Sequence, residues 1–309
     1  MRYLHGNRGL AFRLGLLLIT LTTSSAVATF GQEIEPRTYA RAPVGTQSVV
    51  ALYTYQTGDV VTDTNVPLRD VNVRMNVAAF AYGRTFGLAK RQLNVGVVVP
   101  YFKGRVTGEV FEERREVFRT GIGDTRVRLS YMLRGAPALT PKEFGAFKPK
   151  SIFGVGLTVS IPTGEYDHRK LINIGANRFS LKPEVGVAKT IQRWTVEAAV
   201  AVWLFSANKR FFGESTRSQE PLLSVQSHII YTLKPRMWLA VSGTYYNGGR
   251  TTVNGVLNTD MQNNARFGAT LAYPVTGQHS LKLAVTRGAT TRIGGNLTAV
   301  TAGWQYTWF

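Results

Sequence analysis

The sequence predicts an all-β fold: a transmembrane, antiparallel, up-and-down β-barrel of about 12 strands that follows a cleavable signal peptide. Three observations predict it. Residues 296–309 read as one strand carrying Trp304, Tyr306 and Trp308 on a single face, because successive strand side chains point to opposite sides of a sheet. Period-two alternation recurs from about residue 46 to the end, with no convincing helical repeat. The connections between alternating segments are short and long in turn, as in outer-membrane barrels.

The first element is the targeting segment, residues 1–28. Arg2, Arg8 and Arg13 make a basic start, Leu14 to Leu21 a short apolar core, and Ala26-Val27-Ala28 a small-residue cleavage site. That apolar stretch is too short to span a bilayer. Residues 29–45 then form an N-terminal periplasmic segment, and residues 46–309 the barrel. The formal charge of +19 falls to +16 when the three arginines leave. This basicity does not read as nucleic-acid binding, because Lys and Arg are scattered singly along strands, without a basic helix or an RRM-type aromatic motif. Anionic lipopolysaccharide outside, or anionic solutes inside a pore, suit the charge better. Cysteine is absent, which excludes disulfides, thiolate nucleophiles and cysteine-based metal sites. The mean hydropathy of −0.06 excludes a helical membrane bundle, whereas a barrel hides its apolar content in alternation.

The expected strands cover 46–57, 70–86, 92–103, 121–134, 150–162, 178–190, 194–205, 221–234, 236–247, 262–273, 278–288 and 297–309. Tight connections fall at 87–91, 191–193, 234–235 and 274–277. Long ones fall at 58–69, 104–120, 163–177, 206–220, 248–261 and 289–296. With 12 strands both termini lie on the short-turn side, where the periplasm is expected. Residues 135–149, with Pro137, Pro141 and Pro149, break the rule as a short-turn-side segment of loop length. The competing architecture, a secreted β-sandwich, would use shorter strands and more frequent turns.

If the apolar partner in each alternation faces lipid, the other faces the lumen. Val127, Leu129, Tyr131 and Leu133 then face out, placing Asp124, Arg126, Arg128 and Ser130 inside. Strand two places Val71, Val73, Met75 and Val77 outside, with Asn72, Arg74 and Asn76 inside. Lys182, Glu184, Glu197, Arg266 and Lys282 also face in. A charge on the lipid face costs about 2–4 kcal/mol near the midplane, so their shared parity carries weight. The expected lumen is net basic. Two readings remain open: ion networks that fill a narrow closed barrel, or a basic constriction that favours anions.

Catalytic patterns are absent from the sequence. No H-E-x-x-H, G-x-S-x-G, P-loop or EF-hand signature occurs, and the histidines lie apart from other metal ligands. Ser224 or Ser227 near His228 is the single pair worth naming. No enzyme activity, cofactor or metal is expected.

Two stretches carry a family resemblance. The first is Gly121-Ile122-Gly123-Asp124-Thr125-Arg126-Val127-Arg128-Leu129. The second runs from Ile161-Pro162-Thr163-Gly164-Glu165-Tyr166-Asp167 through Asn173-Ile174-Gly175-Ala176-Asn177-Arg178-Phe179 to Lys182-Pro183-Glu184, followed by Trp194-Thr195-Val196-Glu197. This text resembles the MetA-pathway phenol-degradation family of outer-membrane proteins, loosely from about residue 45 to the end. The resemblance implies an outer-membrane barrel that passes aromatic or other hydrophobic compounds. It also implies that Asp124, Asn177, Arg178, Lys182 and Glu184 are lumen or loop-base positions. The expected role is a transporter or diffusion channel for small molecules; the alternative is a non-conducting barrel contacting lipopolysaccharide through basic loops. Expected partners are outer-membrane lipid, lipopolysaccharide, a small-molecule solute, and the barrel-assembly machinery acting through Trp308 and Phe309. Phe309 is one step out of register with Trp304, Tyr306 and Trp308.

Overall fold

A computed structural model describes residues 35–62, 68–110, 113–147 and 151–309. The signal peptide expected over 1–28 lies outside the described residues. Alternating segments become strands β1 (Gln47–Val61), β2 (Leu68–Leu88), β3 (Arg91–Val110), β4 (Glu113–Ile122), β5 (Thr125–Arg134), β6 (Ser151–Ile161), β7 (Ser180–Ile191) and β8 (Trp194–Phe205). After β9 (Asn208–Phe211) and β10 (Ser215–Gln219) come β11 (Leu222–Lys234), β12 (Met237–Gly248), β13 (Thr251–Val253) and β14 (Val256–Leu257). The last three are β15 (Gln262–Pro274), β16 (His279–Thr291) and β17 (Gly294–Trp308).

The sheet closes on itself. β1 pairs with β2 on one side and, from Gln47↔Trp308 to Val61↔Gly294, with β17 on the other. β4 and β5 pair successively with the outer and inner halves of β3 and share one wall position, so the barrel has 12 antiparallel positions. All 12 expected strands are present. The outward face is apolar, with Phe80, Leu129, Val187, Val200, Ile229, Val241 and Leu283 exposed, as a lipid environment requires. Near the short-turn end, His279, Trp304, Tyr306 and Trp308 form a chain of ring contacts with centroids 4.9–6.5 Å apart. These amphipathic rings suit a membrane interface.

Three connections differ from expectation. Residues 104–120 are largely strand, the top of β3 and β4, because beyond the bilayer a charged segment such as Glu113-Arg114-Arg115-Glu116 can pair without an apolar face. The 206–220 and 248–261 loops build a small sheet in the order β14-β13-β10-β9. The expected 289–296 loop is mostly strand. The 135–149 segment keeps its exceptional length and holds a single helical turn, α1 (Pro141–Phe144), with a Thr140/Glu143 capping box.

Strand two is also corrected. Val71, Val73 and Met75 are buried with Phe102, Val106, Ile174 and Leu297, so they face the lumen. Arg74 is exposed on the opposite, outer face, beside Arg105 of β3. The reversal has a physical cause: the 163–177 loop folds inward and brings Ile172 and Ile174 against this wall. Apolar side chains inside the long-loop end therefore gain a partner. β2 has 21 residues and β3 has 20, about twice what a crossing needs, so Arg74 lies in the extension, where a charge avoids the bilayer midplane.

Candidate functional site: the barrel lumen

The inward rows of the strands converge on two clusters, one at each end of the barrel. At the short-turn end the N-terminal segment enters the lumen. Tyr39 is 2 % exposed and packs among Met132, Ala136, Ala188 and Ala199. Its hydroxyl donates to Glu184 Oε1 at 2.7 Å. The ring fits because Gly154 and Gly186 face it. A Cβ at Gly186 would overlap the ring, and one at Gly154 would lie 2.9 Å from Tyr39 Cδ1. Arg37 N donates to Glu197 Oε2 at 2.8 Å, and Arg37 Nη2 to Thr232 Oγ1 at 3.1 Å. Gln92 holds both sides of the next turn, accepting from Ala42 N and donating to Ala40 O. Burial, reinforced by the neighbouring Glu184 charge and hydrogen bond, pushes the Tyr39 hydroxyl well above its ordinary range, so it stays a protonated donor at neutral pH.

Glu184 is the hub. Arg128 Nη2 lies 2.6 Å from Oε1 and Lys182 Nζ 3.4 Å from Oε2. Arg128, Lys182 and Glu184 form an ion network here, and Glu197 beside it holds the Arg37 backbone N–H. Lys282 lies half-buried on the inward face of β16, and Arg266 is buried with Nη2 donating to Leu297 O at 3.0 Å.

At the long-loop end Asp124 holds the inward loop. Its Oδ1 accepts from Gly164 N and its Oδ2 from Ala176 N, each at 3.0 Å. Asn177, at the base of the same loop, adopts φ +51° and donates to Asn208 Oδ1 at 2.9 Å. Asp124→Ala should loosen the loop by about 2 kcal/mol, since hydrogen bonds to a charged group are worth roughly 1.5–3 kcal/mol. Limited proteolysis should then cut within 163–176 while the barrel stays intact; unchanged resistance would refute the clasp.

Behind the loop lies a cavity of about 140 Å³. Arg126 and Arg178 line it with Tyr166, Trp203, Phe205 and Arg217. Trp203 and Phe205 are near-parallel at 6.4 Å, and the Arg178 guanidinium sits 4.5 Å from the Phe205 centroid. Arg217, Trp203 and Tyr39 were not among the sequence candidates. Trp203 was legible, since it continues the inward parity of Glu197, whereas Arg217 sits in a segment read as loop.

The Ser–His pairing differs from expectation. Ser227 faces outward, and His228 Nδ1 lies 2.8 Å from Ser242 Oγ of β12. Among the described residues no group of three His, Asp or Glu is placed to hold a metal.

The family model described as "Putative MetA-pathway of phenol degradation" matches residues 54–302. An outer membrane channel from Pseudomonas putida F1 is similar in structure, with a TM-score of 0.75 at 20% identity, covering 89% of this chain and 100% of that one. The KdgM porin gives 0.47 at 10% identity, covering 84% and 99%. The β domain of a Bordetella autotransporter gives 0.49 at 12% identity, covering 85% and 100%. Comparison with curated proteins finds no match.

Proposed function

Because the chain belongs to the family described by "Putative MetA-pathway of phenol degradation", and is an outer-membrane barrel, we propose that it is a transporter or diffusion channel. Its cargo is small molecules, aromatic or hydrophobic compounds or organic anions, and its lumen is net basic. One observation carries this reading: Arg126, Arg128, Arg178, Lys182, Arg266 and Lys282 line the interior or face it, and outnumber the carboxylates Asp124, Glu184, Glu197 and Asp260. An interior of one dominant sign attracts the opposite charge. The short-turn end with both termini faces the periplasm, and the long loops face outside.

Refolded protein in a planar bilayer tests the reading. Stable conductance with anion preference is expected. In the double variant Arg126→Ala/Arg128→Ala the reversal potential in a salt gradient should move toward that of an unselective pore. An unchanged preference would remove these two groups from selection. Silence, combined with native-like heat-modifiable migration on gels, would favour the second reading, a structural barrel whose basic loops meet lipopolysaccharide. Tyr39 seated in the lumen is the observation that favours that reading.

A further inference from the structure

The cavity under the 163–177 loop has a chemistry of its own. Arg178 is 6 % exposed, Arg217 7 % and Trp203 4 %, and all three line it. Three of their N–H groups, Arg178 Nη1, Arg217 Nε and Trp203 Nε1, are buried with no hydrogen-bond acceptor. A buried donor left unpaired costs about 1–3 kcal/mol, and native interiors rarely leave several together. The nearby acids are occupied. Asp124 accepts two backbone N–H groups from the loop, and Asp260 accepts from Thr251 N and Oγ1 at 2.8 and 2.6 Å.

The charge is only partly offset. Both arginines lie outside the membrane-spanning strands. Burial, with the Arg217 charge beside it, lowers the Arg178 guanidinium to about 9, against the opposing pull of Asp124. Burial lowers Arg217 to about 10, against the opposing pull of Asp260. Both stay protonated at neutral pH, so two like charges share one buried wall.

Five aromatic rings, Trp203, Phe205, Phe211, Tyr166 and Phe102, line the cavity among aliphatic and polar side chains. The volume of about 140 Å³ is close to the roughly 150 Å³ of an engineered cavity that takes up benzene. A single ring fits the space, a carboxylate fits the donors, and guanidinium groups recognise carboxylates through paired N–H bonds.

From this combination we propose that the cavity is a binding site for one aromatic carboxylate, with its ring against Trp203 and Phe205 and its carboxylate on Arg178 and Arg217. The site deepens the channel reading and rests on it for the ligand's passage. An aliphatic acid would forgo the aromatic rings, and a neutral aromatic alcohol would bring the two arginines no counter-charge.

The full barrel, refolded in nonionic detergent, is titrated by calorimetry with sodium benzoate, sodium acetate and benzyl alcohol. Benzoate should bind saturably with one site per chain. Acetate, which lacks the ring, and benzyl alcohol, which lacks the charge, should each bind at least about tenfold more weakly, since burying a ring and making a charge-assisted hydrogen bond are each worth about 1.4 kcal/mol or more. Arg178→Gln and Arg217→Gln should each lower benzoate affinity by a similar factor, with heat-modifiable migration identifying the folded protein. Benzoate should also change the tryptophan emission of the parent protein, and Trp203→Phe should remove that change. Equal binding of the three probes, undiminished affinity in both folded arginine variants, or an emission change that survives Trp203→Phe would overturn the site. Bilayer recordings on the same preparation separate the two claims. Conductance without benzoate binding removes the site and leaves the channel; benzoate binding without conductance does the reverse.

Discussion

Deletion of residues 35–41 is expected to raise single-channel conductance severalfold, with the barrel still folded and heat-modifiable. The segment donates to Glu184 and Glu197 on the lumen wall and fills the notch above Gly154 and Gly186, so its removal widens the path at the short-turn end. The strands lose few contacts of their own, since their ladders do not pass through these residues. Gly186→Val offers an independent route to the same state. The new side chain occupies the place of the Tyr39 ring and displaces it, while the outward face of β7 keeps Val185 and Val187. Recordings of the two variants should agree with each other and differ from the parent. If both conduct as the parent does, the segment is not the constriction.

The second large effect is on stability. Glu184→Gln should cost about 3–5 kcal/mol in urea unfolding from micelles, the usual penalty for removing one partner of a buried ion pair. Three donors depend on that carboxylate: Arg128 at 2.6 Å, Lys182 at 3.4 Å and the Tyr39 hydroxyl at 2.7 Å. The burden falls unequally. The Arg128 side chain is 23% exposed and can turn to water, whereas that of Lys182 is 3% exposed and cannot. Adding Lys182→Met to Glu184→Gln should therefore recover a substantial part of the loss, because a methionine needs no counter-charge. Additive losses in the double variant would mean that Lys182 draws its stability from elsewhere.

Much of the barrel was legible because alternation carries both strand identity and face. Glu197 and Trp203 share a parity, so both project inward, and Arg128, Lys182 and Glu184 meet in the interior from β5 and β7. The rule is blind to which apolar face has a partner. Val71, Val73 and Met75 have the spacing of a lipid face, and their burial depends on Ile172 and Ile174, about 100 residues away in a loop. Arg74 was misplaced for that reason alone. β10 (Ser215–Gln219), with no apolar side chain, holds Arg217 through pairing with β9 and β13, and pairing between loops leaves no local trace. Tyr39 was equally invisible, since nothing near it in sequence marks a socket.

That socket has a temporal consequence. Tyr39 meets Glu184 across 145 residues and Arg37 meets Glu197 across 160, so the walls of the notch are synthesised long after the ring they receive. β1 begins only eight residues beyond Tyr39 and pairs with β17 at the far end of the chain. The earliest described residues of the chain thus find these partners only once β7 and β8 exist, at an entropic cost that grows only logarithmically with the span. A tyrosine held against Glu184 therefore marks a molecule in which β6, β7 and β8 already stand side by side.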